Sequence, residues 1–212
     1  MLRITDLSKR YGRINVLHNI SLTIPSSGIY VLRGENGSGK TTLLKCLAGL
    51  ERYQGSILWH SESLLKNIAV AFDDSTLHGR LTGLQNLRAL LDASSEVIEE
   101  TPAVRMFFNN DLLRKRSANY SLGQRKKIKI AAAFTALKPC ILLDEPLSGL
   151  DKSGREGLLQ LLESSADTNC VLISDHESAF YRSVASSEFT IRRGKIHRDP
   201  GNEASKIDEF DE

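Results

Sequence analysis

The sequence contains no apolar run approaching the roughly eighteen residues that a helix needs to span a bilayer. That excludes a helical anchor and leaves any membrane attachment to a partner. Cysteine is scarce: Cys46, Cys140 and Cys170 are an odd set without C-x-x-C spacing, each inside an apolar segment. A disulfide framework and a thiolate metal cluster are both disfavoured, and reduced core thiols in a cytoplasmic protein are expected. Net charge is scarce too, with 28 Lys and Arg against 26 Asp and Glu, so the formal value is +2. Neither a nucleic-acid-binding field nor an acidic tail dominates, and no nucleic acid partner is expected. The opening, Met1 to Leu7, alternates polar and apolar residues and lacks the apolar centre of a secretory signal, so the mature chain is expected to start there. There is no internal repeat and no low-complexity segment. A length of 212 residues suits one α/β domain with a full core and is short for two.

What the chain does have is the stretch Gly34-Glu35-Asn36-Gly37-Ser38-Gly39-Lys40-Thr41-Thr42, which fits G-x-x-x-x-G-K-[ST], a phosphate-cradling loop. Glycines let backbone N–H groups turn inward and approach phosphate closely, and the helix that follows offers its positive N-terminus to an anion. The flanks agree with this reading. Gly28 to Arg33 reads as a short buried strand entering the loop, and Thr41 to Leu50 as an apolar-faced helix leaving it. Gly34, Asn36, Gly37, Ser38, Gly39, Lys40, Thr41 and Thr42 are therefore the first candidates for nucleotide contact. Lys40 is expected to reach the terminal phosphates and the Thr41 hydroxyl to ligate Mg²⁺.

Leu2 to Leu7, Ile14 to Ile24 and Ile57 to Trp59 read as strands of an antiparallel sheet, with turns at Tyr11-Gly12-Arg13 and Ser26-Ser27-Gly28. Ile68 to Phe72 is a further strand, Asp73 to Gly79 a polar loop, and Leu81 to Leu91 and Pro102 to Leu113 are helical patterns. A helix from Ser121 is expected to end near Lys138-Pro139. Cys140 to Leu143 is a continuous apolar run closed by Asp144 and Glu145, which suits a central parallel strand buried on both faces. Helix Ser153 to Ser164, strand Cys170 to Ser174, helix Glu177 to Val184 and a hairpin over Phe189 to His197, turning at Arg193-Gly194, complete an alternating pattern. The polar tail from Asp199 is expected to fray.

Adjacent acids at a strand end repel each other and need a purpose. Asp144 can hold Mg²⁺ through water, and Glu145 can polarise an attacking water. Pro146-Leu147-Ser148-Gly149-Leu150-Asp151 follows directly, and here the sequence resembles the ATP-binding subunits of ABC transporters and their soluble relatives. The resemblance runs along essentially the whole chain. It implies that Asp151 is the acid of the family's D-loop, that Tyr11 in Leu7-Ser8-Lys9-Arg10-Tyr11-Gly12 stacks on adenine, and that His176 in Ser174-Asp175-His176-Glu177 senses the γ-phosphate. It also implies that Ser121-Leu122-Gly123-Gln124 is the signature opening a helix that caps ATP on the opposite subunit, with Ser121, Gly123 and Gln124 as contacts. Two departures stand out. Tyr120 and Leu122 replace a leucine and the first glycine of the usual signature, and Asp73 replaces the Q-loop glutamine, where it would serve as a third Mg²⁺ ligand.

The fold expected is α/β: a P-loop NTPase core with a RecA-like sheet, an antiparallel β subdomain and a short α-helical subdomain. Residues 1–200 would form one domain, residues 80–137 its helical part and residues 201–212 a tail. The resemblance implies an ATPase using ATP and Mg²⁺, with Glu145, His176 and Lys40 catalytic. Its partners would be a transmembrane permease, met through residues 73–120, and a second ATP-binding subunit, identical or not. The protein would be cytoplasmic, peripheral on the inner face of the membrane. Export is the expected direction, given the small size. The alternative is a soluble ATPase switching a cytosolic assembly.

Overall fold

The computed structural model describes residues 1–198. The first two strands, β1 (Leu2–Tyr11) and β2 (Ile14–Ile24), form a hairpin closed at Gly12, with Leu2 opposite Ile24 and Tyr11 opposite Ile14. Strands β4 (Gln54–Trp59) and β5 (Glu62–Ser63) extend it to a four-stranded antiparallel sheet in the order β2-β1-β4-β5. Alternation sets its inner face, with Leu2 and Ile4 buried while Arg3 and Thr5 are exposed, and an irregularity between Ile4 and Leu7 turns Leu7 inward as well.

The second sheet has six strands in the order β10-β9-β3-β8-β7-β6. They are β3 (Gly28–Arg33), β6 (Ile68–Ala71), β7 (Cys140–Asp144), β8 (Cys170–Ser174), β9 (Ser187–Arg192) and β10 (Lys195–Arg198), with only the β9–β10 hairpin antiparallel. Every residue of β7 and β8 is buried because both faces are covered. Ile29, Val31, Ile141, Leu143, Val171 and Ile173 pack into one core. Tyr30, Leu32, Cys140, Leu142, Cys170 and Leu172 pack into the other. The first core meets helices α2 (Gly83–Leu91), α3 (Ser95–Glu100), α4 (Pro102–Phe107), α5 (Asn110–Arg114), α6 (Leu122–Thr135) and α7 (Lys152–Ser165). The second meets α1 (Lys40–Leu47) and the antiparallel sheet. All three cysteines are buried and free, and burial pushes the Cys46 thiol up to about 11.

The helical segment differs in detail from its expected form. The pattern over 102–113 is two helices, since Phe108 is extended at φ −136° and Asn109 starts anew by accepting the Leu112 amide at 2.9 Å. Helix α3 was not expected; Ser94 caps it. The expected helix over 177–184 is a 3₁₀ turn at Ser178–Tyr181, because the buried Asp175 carboxylate accepts both the Glu177 amide (2.9 Å) and the Tyr181 hydroxyl (2.7 Å), curling the segment tightly. Strand β4 begins three residues earlier than read, at Gln54. The expected polar tail, 201–212, lies outside the described residues.

Candidate functional site

The parallel strands β3, β8 and β7 end level with one another, since Leu32 pairs with Ser174 and Ser174 with Asp144. Their carboxyl ends open onto one edge, the place where an α/β sheet binds its ligands. The phosphate loop leaves β3 there, Asp144 and Glu145 end β7, and Asp175 and His176 follow β8. Sequence-distant candidates are thus brought to a common edge by strand register alone.

Within the loop, a Cβ at Gly34 would lie 2.6 Å from the Ile191 carbonyl oxygen and 2.6 Å from Ser38 Oγ, so only glycine fits. Gly39, at φ 110°, is the N-cap of α1 and makes no side-chain cap, leaving the helix's first amides for an anion. Lys40 is buried and folds back over the loop, donating to the Gly34 carbonyl at 2.8 Å and the Glu35 carbonyl at 3.2 Å. Asn36 and Gly37 form the exposed turn at the loop tip. Ser38 Oγ is buried without a hydrogen-bond partner among the described residues. A buried hydroxyl without a partner, next to the uncapped start of α1, is the structural sign of an anion cradle.

Thr41 Oγ1 lies 3.0 Å from both carboxylate oxygens of Asp144, across 103 residues of sequence. Ser174 Oγ also donates to Asp144 Oδ1. A hydroxyl and a carboxylate converging beside the anion cradle are the hard-oxygen set that Mg²⁺ takes when phosphate and water complete its shell. Among the described residues no group of three or more His, Cys, Asp or Glu is placed to hold a metal ion. The donors therefore fit Mg²⁺ bound together with a nucleotide. Glu145 takes a left-handed bend at φ 45°, with its amide donating to the Ser174 carbonyl at 2.8 Å.

Asp73, expected as a third metal ligand, is ion-paired with Lys126 of α6 at 2.8 Å, and that ammonium holds its carboxyl below the ordinary value. The Lys126 ammonium also donates to the carbonyls of Asp144 (3.3 Å) and Glu145 (2.9 Å). Lys129 grips the same segment by its backbone, at 3.2 Å from the Phe72 carbonyl and 2.6 Å from that of Asp73.

Tyr11, at the end of β1, remains 42% exposed, with the Lys9 ammonium 4.4 Å from its ring centroid. Partial burial, then contact with Glu51, raises its hydroxyl, which also meets Thr42 on α1. The candidate base-stacking ring therefore stands beside the phosphate-binding helix. His176 is exposed, 3.6 Å from the Asp175 carboxylate, in a loop pinned to α7 by a two-pronged Arg155–Glu177 pair at 2.8 and 3.2 Å. Asp151 caps α7 through the Gly154 amide at 2.9 Å and pairs with Lys127 at 2.8 Å.

At the other end of α6, Ser121 and Gln124 form a reciprocal capping box, Ser121 Oγ taking the Gln124 amide at 3.2 Å and Gln124 Oε1 the Ser121 amide at 3.0 Å. A Cβ at Gly123 would sit 2.4 Å from the Gly149 carbonyl oxygen, so the helix start packs directly on the loop before Asp151. Tyr120, the first departure, is a buried core residue whose hydroxyl donates to the Leu112 carbonyl. Leu122, the second, is 78% exposed. Sequence reasoning missed Lys126, Ser174 and Asp175. The signal for Lys126 was a basic residue inside a run of three, Arg125-Lys126-Lys127, with nothing to show which one faces inward.

Residues 17–148 match the protein-family profile described as ABC transporter. The chain belongs to the ABC transporter ATP-binding family. This ABC domain is 34% identical to the aliphatic sulfonates import ATP-binding protein SsuB 1 of Paracoccus denitrificans, over 91% of this chain and 80% of that protein. It is 29% identical to the lantibiotic transport ATP-binding protein SrtF of Streptococcus pyogenes, over 92% and 89%. Among solved structures, one described as the ATP-binding subunit of an ABC transporter superposes with a TM-score of 0.83 at 27% identity, covering 92% of this chain and 88% of that one. The ABC domain is an ATPase that uses ATP with Mg²⁺. Its mixed sheet, antiparallel sheet and helical segment are the expected P-loop architecture.

Proposed function

We propose that this ABC domain is the subunit that energises a membrane transporter by ATP-driven pairing with a second ATP-binding subunit. The observation that carries the reading is the convergence of Thr41 Oγ1 on both Asp144 oxygens at 3.0 Å beside the anion cradle. In this reading the loop amides, Ser38 and Lys40 hold the β- and γ-phosphates, with Thr41 and Asp144 as metal ligands. When bound, Mg²⁺ offsets negative charge on the phosphate oxygens. Glu145 orients a water and takes its proton as the water oxygen attacks the γ-phosphorus; the bond to ADP breaks, leaving ADP and inorganic phosphate. His176 contacts the γ-phosphate from β8, and Tyr11 stacks on the adenine.

The second half of each site comes from the partner's Ser121, Gly123 and Gln124, where the amides at the start of a 14-residue helix meet phosphate. The permease is proposed to meet residues 73–120. An open cleft of about 730 Å³ lined by Leu77, His78, Arg80, Arg116 and Asn119 supports that. No helix among the described residues is long and apolar enough to cross a membrane, so the proposed site of action is the cytoplasmic face, reached through that partner. Export, expected from the small size, stays the proposed direction, although a relative at 34% identity is named for import.

The test is Glu145→Gln. Removing the proton acceptor while keeping the phosphate contacts should lower kcat by about a hundredfold or more, leave ATP affinity within about threefold and shift the protein to an ATP-bound dimer. Undiminished phosphate release would sink the assignment.

A further inference from the structure

Asp73 follows β6 where the resemblance led us to expect a metal ligand, yet its carboxylate is committed elsewhere. Its Oδ1 lies 2.8 Å from Lys126 Nζ, an ammonium on a side chain only 4% exposed, whereas Asp73 itself is 67% exposed. A buried ammonium needs its acceptors, and here they are three: the Asp73 carboxylate and the carbonyls of Asp144 and Glu145. Those two carbonyls belong to the residues that hold the metal and activate water. One side chain thus joins the loop after β6, the helix that begins at Ser121 and the turn after β7. Lys129, one helical turn on, fixes the backbone of the same loop through the Phe72 and Asp73 carbonyls.

We infer that Lys126 is a positioning residue for the ATPase reaction, and that Asp73 acts on Glu145 through Lys126 and not as a ligand of the metal. The inference rests on the nucleotide site proposed above. A movement of the Asp73 loop, such as docking of a partner on residues 73–120 would impose, withdraws the counter-ion from Lys126 and loosens the two carbonyls it holds. Geometry at Glu145 changes while the phosphate loop, which hangs from β3, does not. The expected signature is a loss in kcat with little change in KM for ATP.

The experiment compares Asp73→Asn, Lys126→Gln, the double variant and Lys126→Arg. Asp73 is largely exposed, so Asp73→Asn keeps the test open should Lys126→Gln fail to fold. Either single variant should lower kcat about tenfold with KM within about twofold, the double should be no worse than the poorer single, and Lys126→Arg should recover most of the loss. Hydrogen exchange of the amides in 72–75 and 145–148 should quicken in both singles. Mn²⁺ binding followed by electron paramagnetic resonance with ADP present separates the roles: Asp73→Asn should change affinity less than about twofold and Thr41→Ala weaken it about tenfold or more. A tenfold loss of Mn²⁺ affinity in Asp73→Asn would make Asp73 a ligand and overturn the inference, as would fully additive losses in the double variant. Unchanged Mn²⁺ affinity in Thr41→Ala would overturn the nucleotide site itself and the inference with it.

Discussion

Asp151 receives the Gly154 amide at 2.9 Å and the Lys127 ammonium at 2.8 Å, so one carboxylate ties the start of α7 to the middle of α6. Both contacts favour its ionised form, Lys127 the more strongly, and hold it below the ordinary value of 3.8. A depressed carboxylate contributes stability that is present above the ordinary value and lost as pH falls through the depressed one. Asp151→Asn keeps a capping side chain but removes the charge. The variant should therefore lose less stability than the parent as pH falls from about 5 to below the ordinary carboxylate value, as measured by urea midpoints, with the difference between the two proteins greatest at neutral pH. The same residue was legible in the sequence twice, as a cap and as the acid of a family motif, and both contacts can hold together because each uses a different donor.

Among the elements, α6 carries the most consequence, and its two ends are built differently. At its start the Ser121–Gln124 capping box, a pairing that the Ser-x-x-Gln spacing encodes, satisfies the Ser121 and Gln124 amides and no others. Its end is strained: Leu137 follows the C-cap Ala136, has φ 51° and is 92% exposed. A leucine in the left-handed region packs on almost nothing and gives up conformational energy that glycine would not. Leu137→Gly should stabilise the protein by about 0.5–1 kcal/mol, visible as a raised denaturation midpoint with unchanged ATPase activity. Helices α4 and α5 show the opposite limit on sequence reading. The apolar period runs on through Phe107 and Phe108, and only the Asn109 cap reveals the break. Short apolar helices packed on one core keep one period across a kink, so periodicity alone merges them.

At the scale of the whole molecule, the proposed head-to-tail pairing makes the nucleotide site half a site, and pairing is what Leu122 bears on. It stands at the first position of α6, 78% exposed, with its Cβ 3.8 Å from the position a Cβ on Gly149 would take. In the head-to-tail pair proposed above, that side chain would face the other subunit's phosphates. Leu122→Gly, made in the Glu145→Gln background, should strengthen the ATP-bound dimer by about tenfold in sedimentation or light scattering, at a cost to monomer stability of about 0.5–1 kcal/mol. A weaker dimer would make Leu122 part of the contact itself. The sequence by itself determined the phosphate loop, the strands that flank it and the acids that end β7, because each rests on local chemistry: glycine's backbone freedom, an apolar run buried on two faces, a charge at a strand end. It also determined family membership, through motif order. Only the tertiary structure decided that Asp144 meets Thr41 and that Asp73 meets Lys126. The first follows from β3, β8 and β7 ending in register, the second from α6 packing against β6. Neither is written in any window of sequence, because a charge chooses its partner from what folding brings near, and here folding buried one lysine out of a run of three basic residues.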